Sequence, residues 1–205
     1  MSTPPGFLLE PEPDGATPLS PEDAEGLKPT WIATRGELNQ AEMANITQAV
    51  IWAYVGRRPI ASVEELLTIS FSDLLHKKMF SDVWTWAGRH RRSQTNIGVE
   101  PYLIVPQMKL TLDDAWFWHE HQTYPPTELA VRLHHRLVVV HPYPNGNGRH
   151  TRMMADLYLH LVGMQRLSWG GESLVGDSEA RRTYIEAVIA ANGHDIKPLL
   201  EFATS

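Results

Sequence analysis

The stretch His141-Pro-Tyr-Pro-Asn-Gly-Asn-Gly-Arg-His-Thr-Arg152 places an imidazole, two glycines and two arginines next to one another. Gly146 and Gly148 let the backbone amides turn inward, and the helix-forming run Met153 to Val162 puts those amides at a helix N-terminus. Unpaired N–H groups and the helix dipole make such a start a site for a phosphate. Arg149 and Arg152 stand three residues apart, so they share a helix face and can grip successive phosphates. An imidazole at His141, with an ordinary pKa near ~6.5, can take a proton from an incoming hydroxyl at neutral pH. No Lys-Ser/Thr follows the glycines, which excludes a Walker loop. The preceding Leu129 to Val140 reads as a helix rather than a strand, which excludes a dinucleotide fingerprint. A glycine-rich helix start that binds nothing is the plain alternative, and the density of His, Asn, Gly and Arg argues against it.

Outward from this stretch the pattern is helical nearly throughout. Ser20-Pro-Glu-Asp23 is a helix start with Ser as cap and Pro at the first position, stopped soon by Gly26 and Pro29. Thr34-Arg-Gly-Glu37 is a capping box. It opens a long helix with Leu38, Ala41, Asn45, Ile46, Ala49, Val50 and Ala53 on one face, closed by Gly56. Ser62 opens another short helix, and Phe71 to Trp84 a further one. Helical patterns follow at 107–121, 127–140, 147–162, 178–192 and 196–203. Between Arg91 and Pro106 the period breaks around Gly98 and Pro101, and Thr95, Ile97, Val99 and Tyr102 suggest the chain's single β-hairpin. The proline-rich residues 1–19 read as an extended arm, and Met164 to Asp177 as the longest later loop. The expected architecture is therefore an all-α bundle with one small β-hairpin: an arm with a short helix over residues 1–33, then one domain over 34–205.

Composition sets the outer bounds. A chain of 205 residues, 42% hydrophobic and 20% charged, suits one globular domain. A formal charge of −6 argues against a general nucleic-acid or membrane-surface binder, while the basic residues gather locally at Arg89–Arg92 and Arg149–Arg152. There is no apolar run of membrane-spanning length and no signal-like N-terminus, so a cytoplasmic protein is expected. With no cysteine there are no disulfides or thiolate metal sites. His134, His135 and His150 beside His141 lack the His-x-x-x-His spacing of a zinc helix, and commonplace helical histidines are the preferred reading.

The stretch from His141 to Arg152 resembles the motif of the Fic family, His-Pro-Phe-x-Asp/Glu-Gly-Asn-Gly-Arg-x-x-Arg. Tyr143 replaces Phe conservatively, whereas Asn145 stands where the family usually carries a magnesium-binding carboxylate. Met79 to Arg89 looks like the family's approach to its substrate-aligning flap, and Arg182 to Asp195 like its closing helix. The chain is most similar to the small bacterial mobile mystery protein B group, whose members resemble toxin–antitoxin components. The resemblance implies a Fic-type helical bundle that transfers AMP from ATP, with Mg²⁺, to a Ser, Thr or Tyr hydroxyl of a target protein. It implies His141 as general base, and Gly146, Asn147, Gly148 and Arg149 around the phosphates with Arg152 at the terminal one. It also implies that Thr95, Asn96, Ile97 and Gly98 form a flap that pairs with the target. Asn145 offers a carbonyl dipole where the family offers a charge, so slower transfer is expected, or it simply caps the next helix. A nucleotide-binding regulatory module acting through a partner, and a transferase of another phosphate-containing group, stay open as alternatives. Many relatives carry an inhibitory helix whose Glu pairs with the second motif arginine. Glu25, followed by Gly26, is the candidate here, although Ser20 lies one residue too far upstream and a plain capped helix is the alternative. Without such a motif, restraint would fall to a separate inhibitory protein.

Overall fold

Three helix starts form through the side chains that signal them. Ser20 Oγ accepts the Asp23 N–H at 3.1 Å, Thr34 Oγ1 that of Glu37 at 3.2 Å, and Ser62 Oγ that of Glu65 at 3.1 Å. Glu37 completes its box by accepting the Thr34 N–H at 3.0 Å. These caps open α1 (Pro21–Ala24), α2 (Arg35–Val55) and α3 (Val63–Leu66) in the computed structural model, which describes residues 18–55, 60–171, 174 and 178–205. Most of the expected arm, Gly56 and part of the 164–177 loop lie outside the described residues. Thr68 caps α4 (Ile69–Phe80), which begins earlier than the periodicity suggests and stops before Trp84. Trp84 instead lies in a turn that bridges to Leu27 and stacks on Trp86. The later helices are α5 (Ile104–Glu120), α6 (Pro126–Val140), α7 (Asn147–Leu161), α8 (Glu179–Asn192) and α9 (Lys197–Thr204).

The fold is all-α, as expected, but the hairpin does not form. Among the described residues the sole β pairing is the Leu27–Trp84 bridge, and residues 91–100 carry no ladder. The reason lies at both ends of the segment. Pro101 starts a 3₁₀ turn (Pro101–Leu103) that runs straight into α5, so the expected return strand is consumed as helix. Val99 donates its N–H to Val140 O at the end of α6, and its own carbonyl accepts from the Arg91 guanidinium. The groups that would pair across a hairpin are engaged elsewhere.

Helix α7 is the centre of the molecule. His150, Thr151, Met153, Met154, Ala155, Leu157, Tyr158 and Leu159 are all buried along it. Its largest interface is with α6, which buries Leu129, Ala130, Leu133, His134 and Leu137. Each fully buried Leu or Met side chain contributes ~1.5–3 kcal/mol. The glycine-rich turn between α6 and α7 is thus held by two well-anchored helices. No helix among the described residues is long and apolar enough to cross a membrane.

Candidate active site

Helix α6 ends on His141, whose backbone is left-handed at φ +54° and ψ +60°. For a non-glycine residue this costs ~1–2 kcal/mol, so the surroundings must impose it. Its N–H donates to Leu137 O, and its carbonyl accepts from Arg91 Nε at 2.7 Å. The imidazole Nδ1 lies 3.2 Å from Val138 O; a carbonyl can only accept, so Nδ1 carries the hydrogen and Nε2 is the basic atom. Burial draws the His141 pKa down to about 4; the Val138 carbonyl opposes the shift and the Arg91 cation adds to it. At neutral pH the ring is an uncharged base.

Beyond Pro142 the chain makes a tight turn. Asn147 clasps it: Oδ1 accepts the Tyr143 N–H at 3.0 Å and Nδ2 donates to Tyr143 O at 2.8 Å. Both polar atoms of the Asn147 side chain are thereby given to the turn, and what this residue presents to a ligand is its backbone. Gly146, at φ +78°, is the N-cap of α7 and supplies no side-chain cap. A Cβ there would meet the Phe80 ring at 2.5 Å, so glycine is required on two counts. Asn145 turns Oδ1 onto the Gly146 N–H at 2.5 Å, and its carbonyl lies 3.1 Å from His76 Nε2. The side chain at the position expected to hold magnesium is therefore neutral and hydrogen-bonded to the helix start. Among the described residues no group of three or more His, Asp or Glu is arranged to hold a metal. These residues do not fit a protein-held ion.

Arg149 and Arg152 both reach the cavity at the start of α7, and each is engaged differently. The Arg152 guanidinium carbon stands 5.5 Å from the centroid of the Tyr184 ring on α8. Arg149 Nη1 lies 2.6 Å from Glu42 Oε2, an ion pair in which the Glu42 side chain is only 6% exposed. The other oxygen of Glu42 accepts from Trp84 Nε1 at 2.7 Å. Glu42 sits on α2, on the face that otherwise buries Leu38, Asn45, Ala49 and Ala53. A carboxylate at that place in an apolar stripe is a signal readable in the sequence: it demands a cation in the fold. Glu25, by contrast, is exposed at the end of α1 and forms no ion pair with Arg152. Trp86 Nε1 donates to Asp23 O, and Lys28 and Thr85 exchange backbone bonds with Val83 and Gly26. Those contacts hold Glu25 in a neighbouring cavity with Arg89 and Arg92, so its expected inhibitory pairing is corrected.

The main cavity, about 880 Å³, brings the remaining site residues together. His141, Asn145 to Arg149, and Arg152 line its polar end; Asn96, Ile97 and Gly98 form one edge; Ile185, Val188 and Ile189 of α8 supply an apolar end. Thr95 is not among its walls, and its hydroxyl donates to Ile97 O. The flap loop is fastened by the buried Arg91, which donates to His141 O, Ser93 O and Val99 O. Sequence reasoning takes Arg91 only as part of a basic cluster; nothing local marks it as a clasp. Gly98, at φ +113°, brings the loop so close that a Cβ would meet His141 Cβ at 2.7 Å.

The family model described as "Fic/DOC family" matches residues 67–159, which include α4, the flap loop, the His141 turn and most of α7. Residues 67–159 are a Fic/DOC domain. It is similar to protein adenylyltransferase fic-1 of Caenorhabditis elegans, 31% identical over 142 residues that cover 65% of this chain and 26% of that protein. It is also similar to protein adenylyltransferase Fic of Drosophila yakuba, 27% identical over 148 residues covering 69% and 28%. This chain thus corresponds to about a quarter of the length of either relative. Among solved structures, Fic-1 (residues 134–508) from C. elegans aligns with a TM-score of 0.60 at 24% identity, covering 80% of this chain and 46% of that one. The BepC protein of Bartonella tribocorum with bound AMPPNP aligns with a TM-score of 0.64 at 17% identity, covering 86% and 90%. Both share the helical Fic fold.

Proposed function

We propose that this Fic protein transfers AMP from ATP to a hydroxyl of a target protein. The observation that carries the reading is the convergence of a neutral, buried His141, the uncapped start of α7 and two arginines on one cavity. In this reading the backbone amides of α7's first turn and Arg149 hold the phosphates, and Arg152 meets the terminal one. The Ser, Thr or Tyr hydroxyl attacks the α-phosphorus while His141 Nε2 takes its proton. A new O–P bond forms, the bond to the β-phosphate oxygen breaks, and pyrophosphate leaves. The adenylyltransferase relatives and the AMPPNP bound by the BepC neighbour support ATP as the substrate. The apolar end of the cavity offers the base a surface against Val188 and Ile185. Magnesium, which the resemblance implies, meets only the amide carbonyl of Asn145 at this position and would be held mainly by the triphosphate and water.

The target is proposed to lie along the Asn96–Gly98 edge, where an extended segment can pair with the loop backbone and bring its hydroxyl to His141. Glu42 is proposed as the restraint within the chain, since its carboxylate stands against the arginine that a phosphate needs. A separate inhibitory protein is then a secondary expectation. The likeness to the mobile mystery protein B group, with a bacterial host and an accessory role akin to toxin–antitoxin components, is part of the same proposal.

ATP labelled at the α- or the γ-phosphate tests the reading. Label from the α position in protein is the expected result. Label from the γ position points to phosphoryl transfer, and binding without labelling to a regulatory module; either overturns it.

A further inference from the structure

Behind the phosphate cavity lies a buried polar chain that the transfer steps do not use. The His134 side chain on α6 is wholly buried. Its Nε2 lies 3.1 Å from the Tyr184 hydroxyl on α8, and its Nδ1 lies 2.9 Å from Thr151 Oγ1 on α7. Thr151 is also wholly buried and lies 2.9 Å from Asn147 O, in the first turn of its own helix. At the other end the Arg152 guanidinium carbon stands 5.5 Å from the Tyr184 ring centroid.

Donor counting gives this chain one direction. The Asn147 and Gly148 carbonyls, 2.9 and 3.3 Å from Thr151 Oγ1, can only accept, and the order that satisfies the nearer one points the single Thr151 hydroxyl hydrogen to Asn147 O. Thr151 must then accept from His134, which requires hydrogen on Nδ1. A neutral imidazole with hydrogen on Nδ1 has a bare Nε2, which accepts the hydrogen of Tyr184. The Arg152 guanidinium packs against the ring whose hydroxyl this bond holds. Burial keeps His134 in the neutral form that this order demands. The chain runs from the ring that faces Arg152 at one end to a backbone carbonyl of α7's first turn at the other. Both ends belong to the phosphate site.

We propose that Tyr184 and His134 are positioning residues, which through the directed chain Tyr184 to His134 to Thr151 to Asn147 O fix the Arg152 guanidinium relative to the first turn of α7. The inference rests on the proposed placing of a terminal phosphate at Arg152. A side chain with several rotatable bonds loses entropy when ordered by a ligand; the chain orders it beforehand. Tyr184→Phe would remove the bond that holds the ring to His134, whereas His134→Gln retains an acceptor for Tyr184.

The test has two parts. Long-range ¹H–¹⁵N spectra of the histidines in the full wild-type chain read the His134 tautomer directly. Hydrogen on Nδ1 is expected, and hydrogen on Nε2 or a protonated ring at pH 7 overturns the proposal whether or not nucleotide binds. Calorimetric titration with a non-hydrolysable ATP analogue and with ADP then compares wild type, Tyr184→Phe, His134→Gln and His134→Leu. Tyr184→Phe and His134→Leu should weaken the ATP analogue about tenfold while ADP changes less than threefold, and His134→Gln should recover most of the loss. Equal losses for both nucleotides, or no rescue by His134→Gln in folded protein, overturn it. Failure of wild type to bind either nucleotide counts against the proposed function instead, and leaves the tautomer to decide the chain.

Discussion

Glu42→Gln separates the carboxylate from its geometry. Gln is nearly isosteric, and its carbonyl can still accept from Trp84 Nε1, but it no longer pairs as an anion with Arg149, which now lies 2.6 Å away. A bound phosphate needs that guanidinium, so nucleotide must first displace the carboxylate. Hydrogen bonds to charged groups are worth ~1.5–3 kcal/mol. At ~1.4 kcal/mol per tenfold, relieving the competition should tighten nucleotide binding by roughly ten- to a hundredfold. Removing an anion from beside an incoming triphosphate acts in the same direction. The ligand-free protein should respond oppositely: it loses the pair and melts earlier, by ~2–4 °C for each kcal/mol lost in a chain of this size. Titration calorimetry with a non-hydrolysable ATP analogue and thermal melting measure both effects. Tighter binding with a lower melting temperature is expected. Unchanged or weaker binding would refute the competition and with it the role of Arg149 as a phosphate ligand.

Further predictions concern the turn, the arginines and pH. Gly146→Ala should destabilise the fold by several kcal/mol, since its Cβ meets the Phe80 ring at 2.5 Å at a positive φ. Gly148→Ala should fold normally but bind ATP poorly, because its Cβ stands 3.7 Å from Arg152 Nη1 and Tyr184 OH, on the phosphate side. Melting and binding of the two variants check the contrast. Arg152→Ala should weaken an ATP analogue more than ADP, and equal losses in titration would remove it from the terminal phosphate. His76, His134, His141 and His150 are all held below the ordinary histidine pKa, chiefly by burial, the last two at about 4. The unfolded chain takes up those protons near pH 6.5 and the folded chain does not, so stability should fall as pH drops from about 6.5 towards 4. Asp156, raised to about 6 by burial, works in the opposite direction but is one group against these four and His135, which burial also lowers. A denaturant midpoint that stays flat between pH 7 and 5 would contradict this.

Helix starts were legible because their signals are local: Ser20, Thr34 and Ser62 cap residues only three positions away. The His141–Arg152 turn was legible for the same reason, its clasp spanning only Tyr143 to Asn147. The flap was misread because the alternation Thr95, Ile97, Val99 looks like a strand. The partners that decide its shape, Val140 and the Arg91 guanidinium, belong to other parts of the chain. Glu42 was missed because Arg149 is 107 residues away. Glu25 drew attention through its neighbour Gly26, yet the contacts of Asp23, Gly26 and Lys28 with residues 83–86 keep it out of the main cavity.

The account turns on His141 as the base that acts on the acceptor hydroxyl, and His141→Ala tests it most directly. ATP affinity by calorimetry and AMP addition by intact-protein mass are measured on the same samples of wild type and variant. The variant should bind ATP within a few-fold of wild type and add no AMP, because the imidazole serves the hydroxyl rather than the nucleotide. AMP addition at the wild-type rate by a variant lacking the imidazole would contradict the mechanism at its centre.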